Sequence, residues 1–200
     1  YKLTNNDAAL ADLDSALALD KFIPKIYLLQ ADLYFVKRDI VRCIKSLEAG
    51  AEALPENKEI LLLLSRYYFF NHEHDKSIKT ADTALKLDPG YALAYYQKAM
   101  IFLEIKDTAK AISNLQTSVE QDPDFEEAYL LLGEIYSLKK NPLAIQYFRN
   151  AVKIDPRNND TRYALALATA AGALLSAGLA FFVVRHGLHP LRQLAEQTQS

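Results

Sequence analysis

Residues 88–123 read DPGYALAYYQKAMIFLEIKDTAKAISNLQTSVEQDP, and this stretch holds one full period of the chain. Pro55, Pro89, Pro123 and Pro156 mark the period, with two equal intervals and a last one that is a single position shorter. Six residues after the first three come Leu61, Tyr95 and Tyr129, and Tyr27 stands one period before Leu61. Four residues further on are Ala31, Ser65, Ala99 and Gly133, all small. Three beyond these are Tyr34, Tyr68, Phe102 and Tyr136, all aromatic. The second half of each unit repeats as well. Ala9, Cys43, Ser77, Ala111 and Ala144 lead to Leu13, Leu47, Ala81, Leu115 and Phe148, then to Ala16, Gly50, Ala84, Ser118 and Ala151.

The spacing carries the physics. Steps of four and three place the aromatic, small and aromatic residues on one face of a helix. The small residue lets a second helix approach, and large ones fill the space beside the contact. Each proline ends the second helix. Asp39, Asp107 and the pair Asn141–Pro142 stand where second helices begin, as N-caps and a first-turn proline do. The sequence Lys139-Lys140-Asn141-Pro142 makes a tighter turn and shortens the last period. One hairpin cannot bury its apolar face alone, so neighbours must stack. The expected fold is all-α over residues 1–160: a lone second helix at about 7–20, then hairpins at 24–55, 58–89, 92–123 and 126–156. Residues 157–167 open a further unit.

This pattern resembles the tetratricopeptide repeat (TPR) family. The resemblance implies an α-solenoid of antiparallel hairpins whose first helices line a groove for a protein or peptide segment. Its packing residues would be Tyr27, Ala31, Tyr34, Ser65, Tyr68, Tyr95, Ala99, Phe102, Tyr129, Gly133 and Tyr136. The groove would be lined by Lys25, Leu28, Asp32 and Phe35, then Glu59, Leu62, Arg66 and Phe69. Leu93, Tyr96, Met100 and Leu103 follow, then Glu127, Leu130, Glu134 and Ser137. Some members clamp a terminal carboxylate through lysine and asparagine. Asp32, Arg66, Met100 and Glu134 occupy the asparagine places here, which points instead to a segment with apolar anchors.

From Ala164 to Val184 the chain runs without a charge, long enough to span a bilayer as a helix. This run predicts a transmembrane helix within 161–186 and a single-pass membrane protein. Ala168, Gly172 and Ser176 form a small-residue stripe suited to a homodimer between membrane helices. Arg185, His186, His189 and Arg192 outweigh Arg162 with Asp160 at the other end, which favours a cytoplasmic C-terminal side. From 187 to 200, Gly187-Leu188, Pro190-Leu191 and Leu194 resemble the start of a HAMP linker in bacterial sensor histidine kinases of the heavy-metal type. That resemblance implies a bacterial plasma membrane. Two functions follow: a membrane-tethered scaffold, or the sensory and transmembrane part of a kinase whose catalytic module lies beyond residue 200. A fusion of unrelated TPR and sensor-kinase segments is the third arrangement.

Little in the sequence carries chemistry of its own. A net charge of −2 with interspersed signs gives no footprint for nucleic acid. Cys43 is the only cysteine and fills a small-residue slot. His72 and His74 lie in the turn NHEHDK, where only Glu73 and Asp75 are near in sequence. They read as a solvated turn, with no metal expected. His186 and His189 read as headgroup-zone residues. No phosphate loop or nucleophile set is present, so no catalytic site and no cofactor are expected within these 200 residues. The chain begins at Tyr1 inside a repeat and without a signal-peptide pattern, which reads as a piece of a longer protein.

Overall fold

The computed structural model describes residues 2–187, with side-chain surroundings for 6–173. Among the described residues there are ten α-helices and no strands. They gather into two units, described separately: Tyr1–Pro123 and Asp124–Ser200. The first unit holds α1 (Lys2–Leu19), α2 (Pro24–Val36), α3 (Ile40–Ala53), α4 (Lys58–Phe70), α5 (His74–Leu87), α6 (Ala92–Glu104) and α7 (Thr108–Gln121). The second holds α8 (Glu126–Leu138), α9 (Leu143–Ile154) and α10 (Asn159–Gly187). Within the first unit α2 pairs with α3, α4 with α5 and α6 with α7, and each second helix packs on the following first helix.

Every hairpin turn closes in the same way. Arg38, His72, Lys106 and Lys140, each one period apart, adopt positive φ of 59°, 59°, 63° and 52°. The amide of the next residue reaches back to a carbonyl five residues earlier: Asp39 to Tyr34, Glu73 to Tyr68, Asp107 to Phe102 and Asn141 to Tyr136, at 2.8–2.9 Å. This is a Schellman closure of the first helix. No glycine supplies the left-handed residue. Its cost, on the order of 1 kcal/mol for a residue with a side chain, is offset by the two carbonyls it satisfies. The following helix starts at once. Asp39 Oδ1 accepts the amide of Arg42 at 3.0 Å, and Asp107 Oδ1 that of Lys110 at 3.1 Å. The turn at Lys139–Pro142 is not tighter, as expected, but one residue longer than the other three. The last period is short because α9 has 12 residues where α3, α5 and α7 have 14. In this turn Asn141 Oδ1 accepts from the amide of Leu143, and Pro142 is the residue preceding α9. These cap interactions hold the Asp39 and Asp107 carboxyls below the usual carboxylate range: Asp39 through the Arg42 amide first, Asp107 through the Lys110 ammonium first.

The crossings of first and second helices are the tightest places in each unit. Ala31 meets Cys43, and Ser65 meets Ser77; all four have no exposure. Ser65 Oγ donates to the Ser77 carbonyl at 2.8 Å, and Ser77 Oγ returns a bond to the Ser65 carbonyl at 2.6 Å. Cys43 Sγ donates to the Ala31 carbonyl at 3.2 Å, and burial pushes its thiol up to about 11. It is a packing residue held as a neutral thiol. Ala99 and Ala111 repeat the contact without polar atoms. Around these crossings Tyr27, Leu47, Ile60, Leu64, Tyr67 and Tyr68 form one buried core. Tyr27 and Tyr95 each donate a hydroxyl to a carbonyl six residues earlier, Lys21 at 2.9 Å and Pro89 at 3.2 Å, and so fix the preceding loop. Tyr34, Tyr95, Tyr129 and Tyr136 are half-buried, and Phe102 is buried. In the second unit Tyr136 stacks on Tyr147 at 5.3 Å.

α10 begins as the first helix of another hairpin. Thr161 is fully buried, and its hydroxyl donates to Glu126 Oε1 at 2.7 Å. The Asn158 amide side chain donates to the same carboxylate oxygen at 2.8 Å. Ala168 and Gly172 line a pocket with Ser137, Pro142 and Ile145, and a Cβ on Gly172 would stand 3.4 Å from Ile145 Cδ1. The small-residue stripe expected to join two copies therefore faces α9 of its own chain over these two residues, while Ser176 lies outside the residues with described side chains. On the opposite side Tyr163, Ala166 and Leu167 are exposed. Among the described residues no helix is long and apolar enough to cross a membrane. The apolar run 164–184 lies outside the described side chains beyond 173, and the HAMP-like stretch lies outside the described residues from 188 onward.

Gly133 and Gly50 mark where a methyl group does not fit. A Cβ at Gly133 would stand 2.5 Å from Phe148 Cδ1, and one at Gly50 2.8 Å from Tyr27 Cγ. At Gly90 the nearest atom would be 3.4 Å away. Gly133→Ala is expected to lose about 1–3 kcal/mol in urea unfolding through overpacking. Gly90→Ala should stay within about 0.5 kcal/mol of the parent. Equal losses in both would place the tight crossing elsewhere.

Candidate functional site

The first helices of the first unit, α2, α4 and α6, pack side by side. At their C-terminal ends, just before the left-handed turns, apolar residues gather on the surface. Phe35 is 49% exposed, Val36 64%, Phe70 47% and Ile105 44%. The rings touch in sequence. Phe35 lies 5.8 Å from Tyr67 and 6.4 Å from Phe70, between ring centres. Tyr67 meets Phe70 edge-on at 6.1 Å, and Phe70 meets Phe69 at 5.8 Å. Phe69 continues to His74 at 6.0 Å, and His74 to His72 at 6.0 Å. Tilted and edge-on pairs at these separations attract each other beyond simple burial. The chain of rings thus runs from the end of α2 across α4 to the start of α5.

Tyr67 anchors this chain from below. It is buried, and desolvation pushes its phenol up to about 12. Phe35 and Phe70 lie over it and face solvent. Contiguous exposed aromatic surface held on a rigid frame is what partner-binding surfaces share. The edges are charged with both signs: Lys25, Asp32 and Glu59 are exposed, and Arg66 is half-buried.

The residues picked out by spacing fall in different places. In α2, Leu28 is half-buried and Phe35 exposed. In α4, Leu62 is only 4% exposed and belongs to the core, not to a surface stripe. Phe69 is half-buried and joins the ring chain. In α6, Leu93, Tyr96, Met100 and Leu103 are half-buried along one side. Glu127, Leu130, Glu134 and Ser137 belong to α8 and thus to the second unit, where Leu130 is half-buried and the other three are exposed. Spacing passed over Val36, Tyr67, Phe70 and Ile105. A signal existed: Val36, Phe70 and Leu138 hold the same place in their periods, two before each left-handed residue, with Glu104 in that place in the third hairpin.

Residues 62–115 and 96–159 match the sequence model of the tetratricopeptide repeat. The hairpins within residues 62–159 are tetratricopeptide repeats. Among proteins similar to this chain, anaphase-promoting complex subunit 3 of Schizosaccharomyces pombe is 28% identical over 109 residues, 54% of this chain and 16% of that protein. The chain spans from 11% to 34% of the lengths of the curated relatives it matches. Solved structures share the fold, MamA and YrrB among them. MamA superposes with a TM-score of 0.67 at 22% identity, covering 78% of this chain and 92% of that one. YrrB, described as a TPR protein with an unusual peptide-binding site, gives 0.61 at 23% identity, covering 82% and 84%.

Because Phe35 and Phe70 are half out of the fold, removing them should cost little. Phe35→Ala and Phe70→Ala are each expected to lose under about 1.5 kcal/mol in urea unfolding, whereas Tyr67→Ala loses about 3–5 kcal/mol. A large loss at Phe35 or Phe70 would make the ring chain part of the core.

Proposed function

We propose that this chain is a TPR scaffold that holds a protein segment on α2, α4 and α6, with apolar side chains of the segment seated on Phe35, Phe69 and Phe70. The exposed ring chain is the observation that carries this reading. Those rings are fixed by their neighbours and by Tyr67 beneath, so little side-chain freedom is lost when a partner covers them. The half-buried row Leu93, Tyr96, Met100 and Leu103 extends the same first-helix side into the third hairpin. Asp32, Glu59 and Arg66 supply both signs of charge for orientation rather than a single-sign patch. The similarity to YrrB supports a segment as the occupant, since a peptide-binding site is named for that protein. No terminal-carboxylate clamp enters the proposal, because Asp32 and Glu134 are poor partners for a carboxylate.

Membrane attachment forms a second part of the proposal. It rests on the uncharged run 164–184, with residues 159–173 of α10 closing the repeats and the distal part of the run meeting lipid. Co-flotation with liposomes checks it: the whole chain should float, and one ending at residue 163 should not. Flotation of both, or of neither, would remove the anchor.

For the segment, a random peptide display selected against the whole chain should return sequences with spaced aromatic or aliphatic anchors. The double variant Phe35→Ala/Phe70→Ala should bind them at least about tenfold more weakly, since each anchor contact contributes more than about 1 kcal/mol. Peptides unaffected by that change and displaced by Glu134 variants would move the site to the second unit.

A further inference from the structure

The turn between α4 and α5 brings together more than its own sequence. His72 stands in the left-handed position of the closing turn, pinned by the hydrogen bond that its backbone N–H donates to the Phe69 carbonyl at 2.9 Å. His74 is the first residue of α5, with its ring against Phe69. Glu104 is the last residue of α6 and comes from the next repeat. One ligand atom from each of these three side chains lies within 4.8 Å of the others. A second fact concerns His74 alone: its Nδ1 is sealed from solvent and has no hydrogen-bond partner. A ring nitrogen so placed lacks the partner that buried polar atoms nearly always have.

We propose that His72, His74 and Glu104 form a binding site for a divalent transition-metal ion of the zinc class. Two imidazoles and a carboxylate match that class, whereas magnesium and calcium prefer an all-oxygen set. Zinc–nitrogen and zinc–oxygen bonds of about 2.0–2.1 Å put tetrahedral donors about 3.3 Å apart. Closing from 4.8 Å asks each donor to move by about 1 Å, which side-chain rotation supplies. Three protein donors leave a fourth position for water or for a donor from a bound segment.

The surroundings suit a cation. Asp75 and Glu73 line the adjacent cleft of about 420 Å³, with Lys76 and Ile105. The Lys76 ammonium is held 2.5 Å from Glu73 Oε2 and lies over the Tyr68 ring, so its charge is already partnered. Glu104 is exposed and free to turn toward the imidazoles. The ion would tie the turn of the second hairpin to the first helix of the third and stiffen the edge beside Phe69.

Zinc titration of the whole chain by calorimetry, with cobalt absorption as a second readout, tests the site. One ion per chain should bind, without competition from excess magnesium, and cobalt should show the visible bands of a tetrahedral site. His72→Asn keeps the left-handed turn, since asparagine tolerates that conformation, and Glu104→Gln changes an exposed residue. Each should weaken binding at least about tenfold, with unchanged helical circular dichroism. The double variant His186→Asn/His189→Asn should bind like the parent. Failure of the parent to bind stoichiometrically, survival of binding in either His72→Asn or Glu104→Gln, or loss of binding in the His186/His189 variant overturns the proposal.

Discussion

Each hairpin depends on how closely its two helices cross at a pair of small residues. Where Ala31 meets Cys43, or Ser65 meets Ser77, nothing larger than a thiol or hydroxyl separates the backbones. That contact sets which face of the first helix is inside. Tyr27, Leu64, Tyr67 and Tyr68 are then committed to the core. Residues four or five positions further on lie about 6–8 Å along the axis and emerge past the packed layer. Phe35, Phe69 and Phe70 occupy those positions. The exposed aromatic edge is therefore a by-product of where the crossing sits, and it is as rigid as the crossing.

The crossings and their aromatic neighbours were legible in the sequence because side-chain size repeats strictly at a fixed period. Helix starts at Asp39 and Asp107 were legible for a similar reason: a short acceptor at a helix N-terminus has one common use. The turn closures were not. Arg38, His72, Lys106 and Lys140 carry positive φ without being glycine, and nothing in their identity announces it. Leu62 was misplaced because a stripe drawn by spacing on α4 ignores how many neighbours that helix has; α2, α3, α5 and α6 all pack on it. Glu104 was invisible for a deeper reason. Its proximity to His72 and His74 arises between repeats, from stacking, and local spacing reports only contacts within a helix or turn.

The small-residue stripe of α10 shows the same limit from another side. A small residue at every fourth position states that some helix comes close, but not which one. In the second unit α9 takes that place at Ala168 and Gly172. The stripe thereby does within one chain what the crossings do within each hairpin, and Thr161 and Asn158 lock the start of α10 to Glu126 of α8.

Stability and the proposed binding draw on the same aromatic side chains in this fold, and the division between them follows exposure. A ring at 4% exposure, such as Tyr67, has given its apolar surface to the core and has little left to offer a partner. A ring near half exposure, such as Phe35 or Phe70, has committed about half and is held in place by the rest. Such a residue costs little side-chain entropy to bury further and still gains apolar contact, which a flexible surface leucine or methionine cannot match as fully. The proteins best suited to hold a segment without rearranging are those in which the core ends part-way through a ring. Between α2 and α4 the core of this chain ends there.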